Sequence, residues 1–241
     1  MTGLFSNWRK ATLKAVKALQ KDETTFDAGD DVDRILRAIK RSQLVLLMGD
    51  VEDTLTEVTQ DGGAAALAQI GIVDDESIVS QVNEQAIEYA RDRSAEMVGK
   101  KWVDGELIDN PNGEWVIDEA TRDMLRADVT QAIEEGWSND RLADAIAENY
   151  AFSDQRAETI ARTETAFADV QGNLAGYKAS GVVASKQWLA APDCCDDCQE
   201  IDGEVVDLDG VFSDGSDGPP AHPNCRCNMV PVLEPLDETD D

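Results

Sequence analysis

Every cysteine in this 241-residue chain, and its single histidine, lies in one short C-terminal stretch. The residues form two clusters, Cys195-Asp-Asp-Cys198 and His222-Pro-Asn-Cys225-Arg-Cys227, separated by an acidic loop, with Cys194 beside the first. Five cysteines is an odd number. Packed this closely in a chain without a signal-peptide-like N-terminus, they argue against a disulfide scaffold and for a metal site. Zinc takes four sulfur or nitrogen ligands in a tetrahedron, and donors two residues apart can clasp one ion from a single turn. The spacing nominates Cys195, Cys198, Cys225 and Cys227, with His222 as the main substitute and Cys194 as the spare. Reduced, partly buried thiols without metal, or an oxidised pair, are the competing readings. A module with so few large apolar residues builds little core of its own, and a structural metal would supply what is missing.

The rest of the sequence reads as helix. Leu4, Phe5, Trp8, Ala11, Ala15, Val16 and Leu19 fall on one face of a helical wheel, with Lys10, Lys14, Lys17 and Lys21 opposite. This predicts a basic amphipathic helix over 1–21, in contact with DNA, a membrane surface or an acidic partner, or packed on its own domain with the lysines in solvent. Trp8 and the four lysines are the contact candidates. Helical spacing recurs from Val32 to Val58, and Asp61-Gly62-Gly63 reads as a break. Further helices are expected at about 75–98, 118–135, 139–150 and 154–180, with Ser138 and Ser153 as N-caps and Gly181 as a C-terminal stop. Asp104-Gly105 and Asn110-Pro111-Asn112-Gly113 mark a turn-rich connection and a small hairpin. After Gly181 short β-type runs appear. The predicted fold is mainly α: an elongated multi-helix body with a small, β-containing, cysteine-rich C-terminal module. The expected divisions are 1–21, a helical region 22–117, a helical part 118–181, the Cys/His module 182–234 and an acidic tail 235–241.

Charge is the other outlying property. The chain carries 50 acidic and 21 basic residues, a net charge of −29. Self-repulsion on this scale destabilises a compact state at ordinary ionic strength, whereas at about 1 M salt the Debye length falls to roughly 3 Å. The composition therefore points to a salty interior, such as that of a halophilic host, with an ordinary acidic mesophilic protein as the competing reading. The acids between the cysteine clusters, Asp207, Asp209, Asp214 and Asp217 among them, do not follow EF-hand spacing and read as solvated surface. The longest apolar run, Leu44 to Met48, is too short to span a bilayer.

Several motifs together resemble a known family. Ala161-Arg162-Thr163-Glu164, Ser180-Gly181-Val182, Trp188, Asp193, Cys195-x-x-Cys198, Ile201-Asp202-Gly203 and Pro219-Pro220-x-His222-Pro223-Asn224-Cys225-Arg226-Cys227 are similar to the head-morphogenesis, or minor head protein, family of tailed phages, the Mu F-like group. The likeness spans roughly residues 118 to 233. It implies a virion component made in the host cytoplasm and placed in the head near the portal. Its implied partner is the portal protein, with the major capsid protein and packaged DNA as further partners. It also implies structural roles for Arg162, Glu164, Trp188 and Asp202, and no catalytic activity. Two other classes compete with this one. A nucleic-acid-binding zinc module is disfavoured because Arg226 is the only basic residue after Lys186. A cysteine-dependent enzyme needs a base, and the only histidine already belongs to the cysteine cluster.

Overall fold

A computed structural model describes residues 1–19, 35–37, 39–73, 75–113 and 116–233. Lys21, the polar stretch from Asp22 to Asp31 and the acidic tail lie outside the described residues. The helices are α1 (Thr2–Leu19), α2 (Arg41–Val45), α3 (Met48–Gln69), α4 (Glu76–Met97), α5 (Ile117–Glu134), α6 (Asn139–Glu148), α7 (Asp154–Ser180) and the short α8 (Asp196–Glu200). Strands β1 (Lys100–Val103) and β2 (Glu106–Asp109) pair antiparallel around Asp104-Gly105, so the hairpin begins a few residues before the 104–116 stretch where the turn residues suggest it. Strands β3 (Val183–Leu189), β4 (Val205–Asp207) and β5 (Asn228–Leu233) form an antiparallel sheet in the order β4-β3-β5. The fold is mainly α with a small β-containing, cysteine-rich C-terminal part, as the sequence predicts. No described helix is long and apolar enough to cross a membrane.

Two compact units emerge, and both are discontinuous in sequence: residues 1–49 with 92–158, and residues 50–91 with 159–241. This grouping cuts across the divisions expected at 21/22 and 117/118. The reason is that α3 and the first part of α4 pack with the C-terminal residues, so sequence neighbours are not packing neighbours.

In the first unit α1 packs on α6 and on a 3-10 turn, Tyr150–Phe152. Phe5, Trp8 and Val16 of α1 are fully buried. The expectation that Trp8 meets a partner is therefore corrected: α1 spends its apolar face on its own core. Lys10, Lys14 and Lys17 stay exposed on the opposite side. Arg156, at the start of α7, is also buried. Its guanidinium donates to the Ala151 carbonyl (2.8 Å), to Thr121 Oγ1 (2.7 Å) and to the Ile117 carbonyl (3.2 Å). It also stacks 4.9 Å from the centre of the Phe5 ring. Burial lowers its pKa to about 10. The predicted caps are present: the hydroxyls of Ser138 and Ser153 accept from the amides of Arg141 (3.2 Å) and Arg156 (3.0 Å).

In the second unit the expected break at Asp61-Gly62-Gly63 is absent, and α3 runs straight through it. The buried residues Leu55, Thr59, Gly62, Gly63, Ala66 and Leu67 form one helical face. That face crosses α7 at Gly172 and Gly176. A β-carbon on Gly172 would overlap the Thr59 carbonyl, and one on Gly176 would lie 2.8 Å from the Gly63 carbonyl. These glycines are there for backbone approach and do not end the helix. Val170, Leu174, Tyr177, Val183 and Met229 extend this contact into the sheet, with Tyr177 Oη donating to Gln69 Oε1 (3.0 Å).

Candidate metal centre

The cysteine module is built on two short clasps. In the first, Cys195 takes the N-cap position of α8, with extended backbone angles (φ −75°, ψ 169°), and Cys198 lies one turn later. The second is a tight turn in which the amide of Cys225 donates to the His222 carbonyl at 3.1 Å. Pro223 and Asn224 occupy its middle positions, and Asn224 has φ +60°. Proline second and a left-handed residue third is the pattern of a type II turn, and asparagine tolerates the left-handed region better than most residues. The turn places His222 and Cys225 side by side, as the helical turn does for Cys195 and Cys198.

The clasps meet at Cys198. Cys195, Cys198 and His222 form one group whose ligand atoms all lie within 4.8 Å of one another, and Cys198, Cys225 and Cys227 form a second. His222 Nε2 is 3.2 Å from Cys195 Sγ and 3.4 Å from Cys198 Sγ, while Cys198 and Cys225 are 3.8 Å apart. A tetrahedral thiolate–zinc site with bonds of about 2.3 Å has sulfur–sulfur edges of about 3.8 Å, and its sulfur–nitrogen edges are somewhat shorter. His222 Nδ1 donates to the Pro223 carbonyl (3.0 Å), which fixes the tautomer and turns the Nε2 lone pair toward the sulfurs. All five candidate ligands thus come together, and the cluster can hold a metal ion. His222 is a full member of it, placed against the Cys195–Cys198 pair. Cys194 packs beside the cluster without joining either group.

Burial pushes the Cys198 thiol strongly up, reinforced by the neighbouring sulfurs, and burial likewise raises Cys227. The Cys195 thiol is held below its ordinary range, first by the backbone of Cys198 and then by the Cys198 and His222 side chains. Forming several thiolates in this space therefore requires positive charge among the sulfurs, which a metal ion supplies.

Around the donors sits a compact apolar shell. Trp188 and Phe212 are buried and meet edge to face at 5.2 Å, alongside Cys198, Ile201, Cys225 and Cys227. The Ile201-Asp202-Gly203 motif ties this shell to β3. Asp202 Oδ1 accepts from the Ala190 amide (2.8 Å), the Gly203 amide donates to the Trp188 carbonyl (3.0 Å), and Ile201 packs inward. Trp188 and Asp202 thus hold the strand end against the cluster. Arg226 reaches Asp193 by an ion pair of 2.7 Å. The other anchor comes from α7. The Asn224 amide donates to Thr163 Oγ1 (3.1 Å), and Asn224 Nδ2 donates to Thr159 Oγ1 (3.4 Å). Sequence reasoning singled out Arg162 and Glu164 in this motif. Glu164 is buried and Arg162 exposed, and the Thr163 hydroxyl between them accepts from the module. The signal for it was present: a His-Pro-Asn-Cys turn leaves the amide of its third residue pointing outward, in need of an acceptor.

Residues 123–230 match the family described as phage Mu protein F like protein. This segment is Mu F-like. The match begins in α5 and ends within β5, so it takes in α7, both clasps and most of the sheet, and it agrees with the head-morphogenesis resemblance carried by the sequence motifs. Residues 1–122 lie outside it. No curated protein and no solved structure is significantly similar to the chain.

Proposed function

We propose that this is a minor head protein of a tailed virus that acts structurally near the portal during head assembly, with a zinc ion locking its C-terminal module. The observation that carries the reading is the Mu F-like match across the segment that builds the metal cluster. The zinc is proposed to centre on Cys198, the one donor common to both groups, with its other three ligands drawn from Cys195, His222, Cys225 and Cys227. The reading assigns no catalytic step.

With the apolar side of α1 consumed by its own unit, contact with a portal subunit or packaged DNA falls to the exposed row Lys10, Lys14 and Lys17, in a segment that contains no acidic residue. Any phosphate contact would be concentrated there, because the rest of the chain is strongly acidic and repels a polyanion. The net charge of −29 also supports assembly in a salty cytoplasm.

Mass spectrometry of purified virions, with cross-linking to portal subunits, tests the placement. The expected result is recovery in full heads with cross-links to the portal, and recovery only from cell extract would overturn it. A competing reading draws on the 3.2 Å approach of His222 to the exposed Cys195, which is the geometry of a cysteine–histidine nucleophile pair. Stoichiometric zinc that blocks alkylation of Cys195 favours the structural role. A metal-free protein with a rapidly alkylated Cys195 favours the nucleophile.

A further inference from the structure

Two threonines on α7 bear on the cluster without touching a ligand atom. In the His222–Cys225 turn, only the Cys225 amide is used by the turn itself. The Asn224 amide points outward and is taken by Thr163 Oγ1 at 3.1 Å, and its side-chain amide reaches Thr159 Oγ1 at 3.4 Å. Thr163 Oγ1 donates its own hydrogen to the Thr159 carbonyl at 2.8 Å, so a lone pair is left facing Asn224. Thr159 and Thr163 are four residues apart and share one face of the helix. They hold the turn by both ends of its third residue, the one in the left-handed conformation that costs a non-glycine residue energy. The plane of that turn decides where His222 Nε2 and Cys225 Sγ point.

We infer that Thr163, assisted by Thr159, is a positioning residue for the metal cluster, and that loading the metal and seating the His222–Cys225 turn on α7 are one coupled event. The inference rests on the proposed metal site. Groups that orient metal ligands typically change affinity by about 10–100-fold when removed. A contact that only decorates the surface would leave affinity unchanged.

The test uses the full-length protein and zinc, with affinity read by competition against a chromophoric chelator. Thr163→Val keeps shape and removes the acceptor, so it should bind zinc about tenfold more weakly. Thr163→Ser should restore wild-type affinity. Thr159→Val, which removes only the longer contact, should show a smaller loss and covers the case in which Thr163→Val folds poorly. Helical circular dichroism at saturating zinc should be the same for all four proteins. In the reciprocal measurement, stripping zinc should speed amide exchange at Asn224. A Thr163→Val protein with wild-type zinc affinity overturns the inference and leaves the metal site standing. A wild-type chain that holds no zinc overturns the metal site itself.

Discussion

The core of the first unit and the core of the cysteine module are assembled around the same motif by different means. Each has a fully buried tryptophan, Trp8 or Trp188, whose indole nitrogen has no hydrogen-bond partner among the described residues. Each sets a cation over a phenyl ring, Arg156 over Phe5 at 4.9 Å and Lys186 over Phe212 at 5.7 Å. The surroundings then diverge. In the first unit α1 packs on α6 and the Tyr150–Phe152 turn, helical elements whose backbones satisfy their own hydrogen bonds, and Arg156 joins this core through two carbonyls and a hydroxyl. In the module the local elements are a five-residue helix and short strands, and the space beside Trp188 is filled by sulfur. Helices supply a scaffold before any side chain is placed. The module has little scaffold of this kind, so its packing must wait for its ligands.

The largest test of that contrast is removal of the shared sulfur. Cys198→Ser should abolish stoichiometric zinc and cost about 3 kcal/mol or more, because a buried position loses a metal bond and gains an unpaired hydroxyl. Near-ultraviolet dichroism should lose the Trp188–Phe212 signal while the first unit stays folded. If both units melt together in that variant, the two cores are not energetically separable. Cys194→Ser, beside the cluster but outside both groups, should leave zinc content unchanged.

Next in size is the α3–α7 crossing, a part of the second unit in which no metal ligand lies. Gly172→Ala drives a methyl into the Thr59 carbonyl and should cost about 2 kcal/mol by thermal melting at saturating zinc. An unchanged melting temperature would mean that α3 and α7 can separate without penalty. In the first unit Arg156→Met keeps length and apolar bulk but leaves the Ala151 carbonyl without this donor. The expected loss is about 1–2 kcal/mol, with zinc affinity unaffected. A fall in zinc affinity would break the distinction between the two cores.

The smallest effect is in alkali. Burial, with Asp169 adding to it, raises the Tyr177 hydroxyl to about 12 from an ordinary value near 10. Below pH 10 both folded and unfolded chains keep the proton. Between about 10 and 12 the unfolded chain gives it up first, so stability falls as pH rises through that window. Absorbance titration near 295 nm should show a tyrosine step near pH 12 that Tyr177→Phe removes, and that variant should flatten the alkaline loss.

Much of this was legible in the residues because it is local. Ser138, Ser153, Gly181 and Asp104-Gly105 act on neighbours within a turn; the helices lie where expected, and the hairpin begins only a few residues early. The cysteines were equally readable, since ligand spacing is itself a local geometry. What failed was information carried by the partner surface. Gly62-Gly63 signals a helix end or a close crossing with equal force, and only Gly172 and Gly176, more than a hundred residues later, decide between them. Trp8 on an amphipathic helix gives no sign of whether its apolar side is met from within the chain or from outside. His222 was ranked as a substitute because counting donors cannot show that a proline–asparagine turn swings it against Cys195.

The glycine crossing also bears on what can be inherited as a piece. The Mu F-like segment, 123–230, includes Gly172 and Gly176 but not Gly62 and Gly63. A recombination event that moved this segment alone would deliver a helix with a glycine-lined flank cut to fit a partner left behind in the donor genome. Residues 50–91 are therefore physically part of the same packing unit as residues 159–230, although they lie outside the match. A chimaera whose crossover falls between α4 and α5 should fold poorly, because that point parts α1 from α6 in the first unit and α3 from α7 in the second.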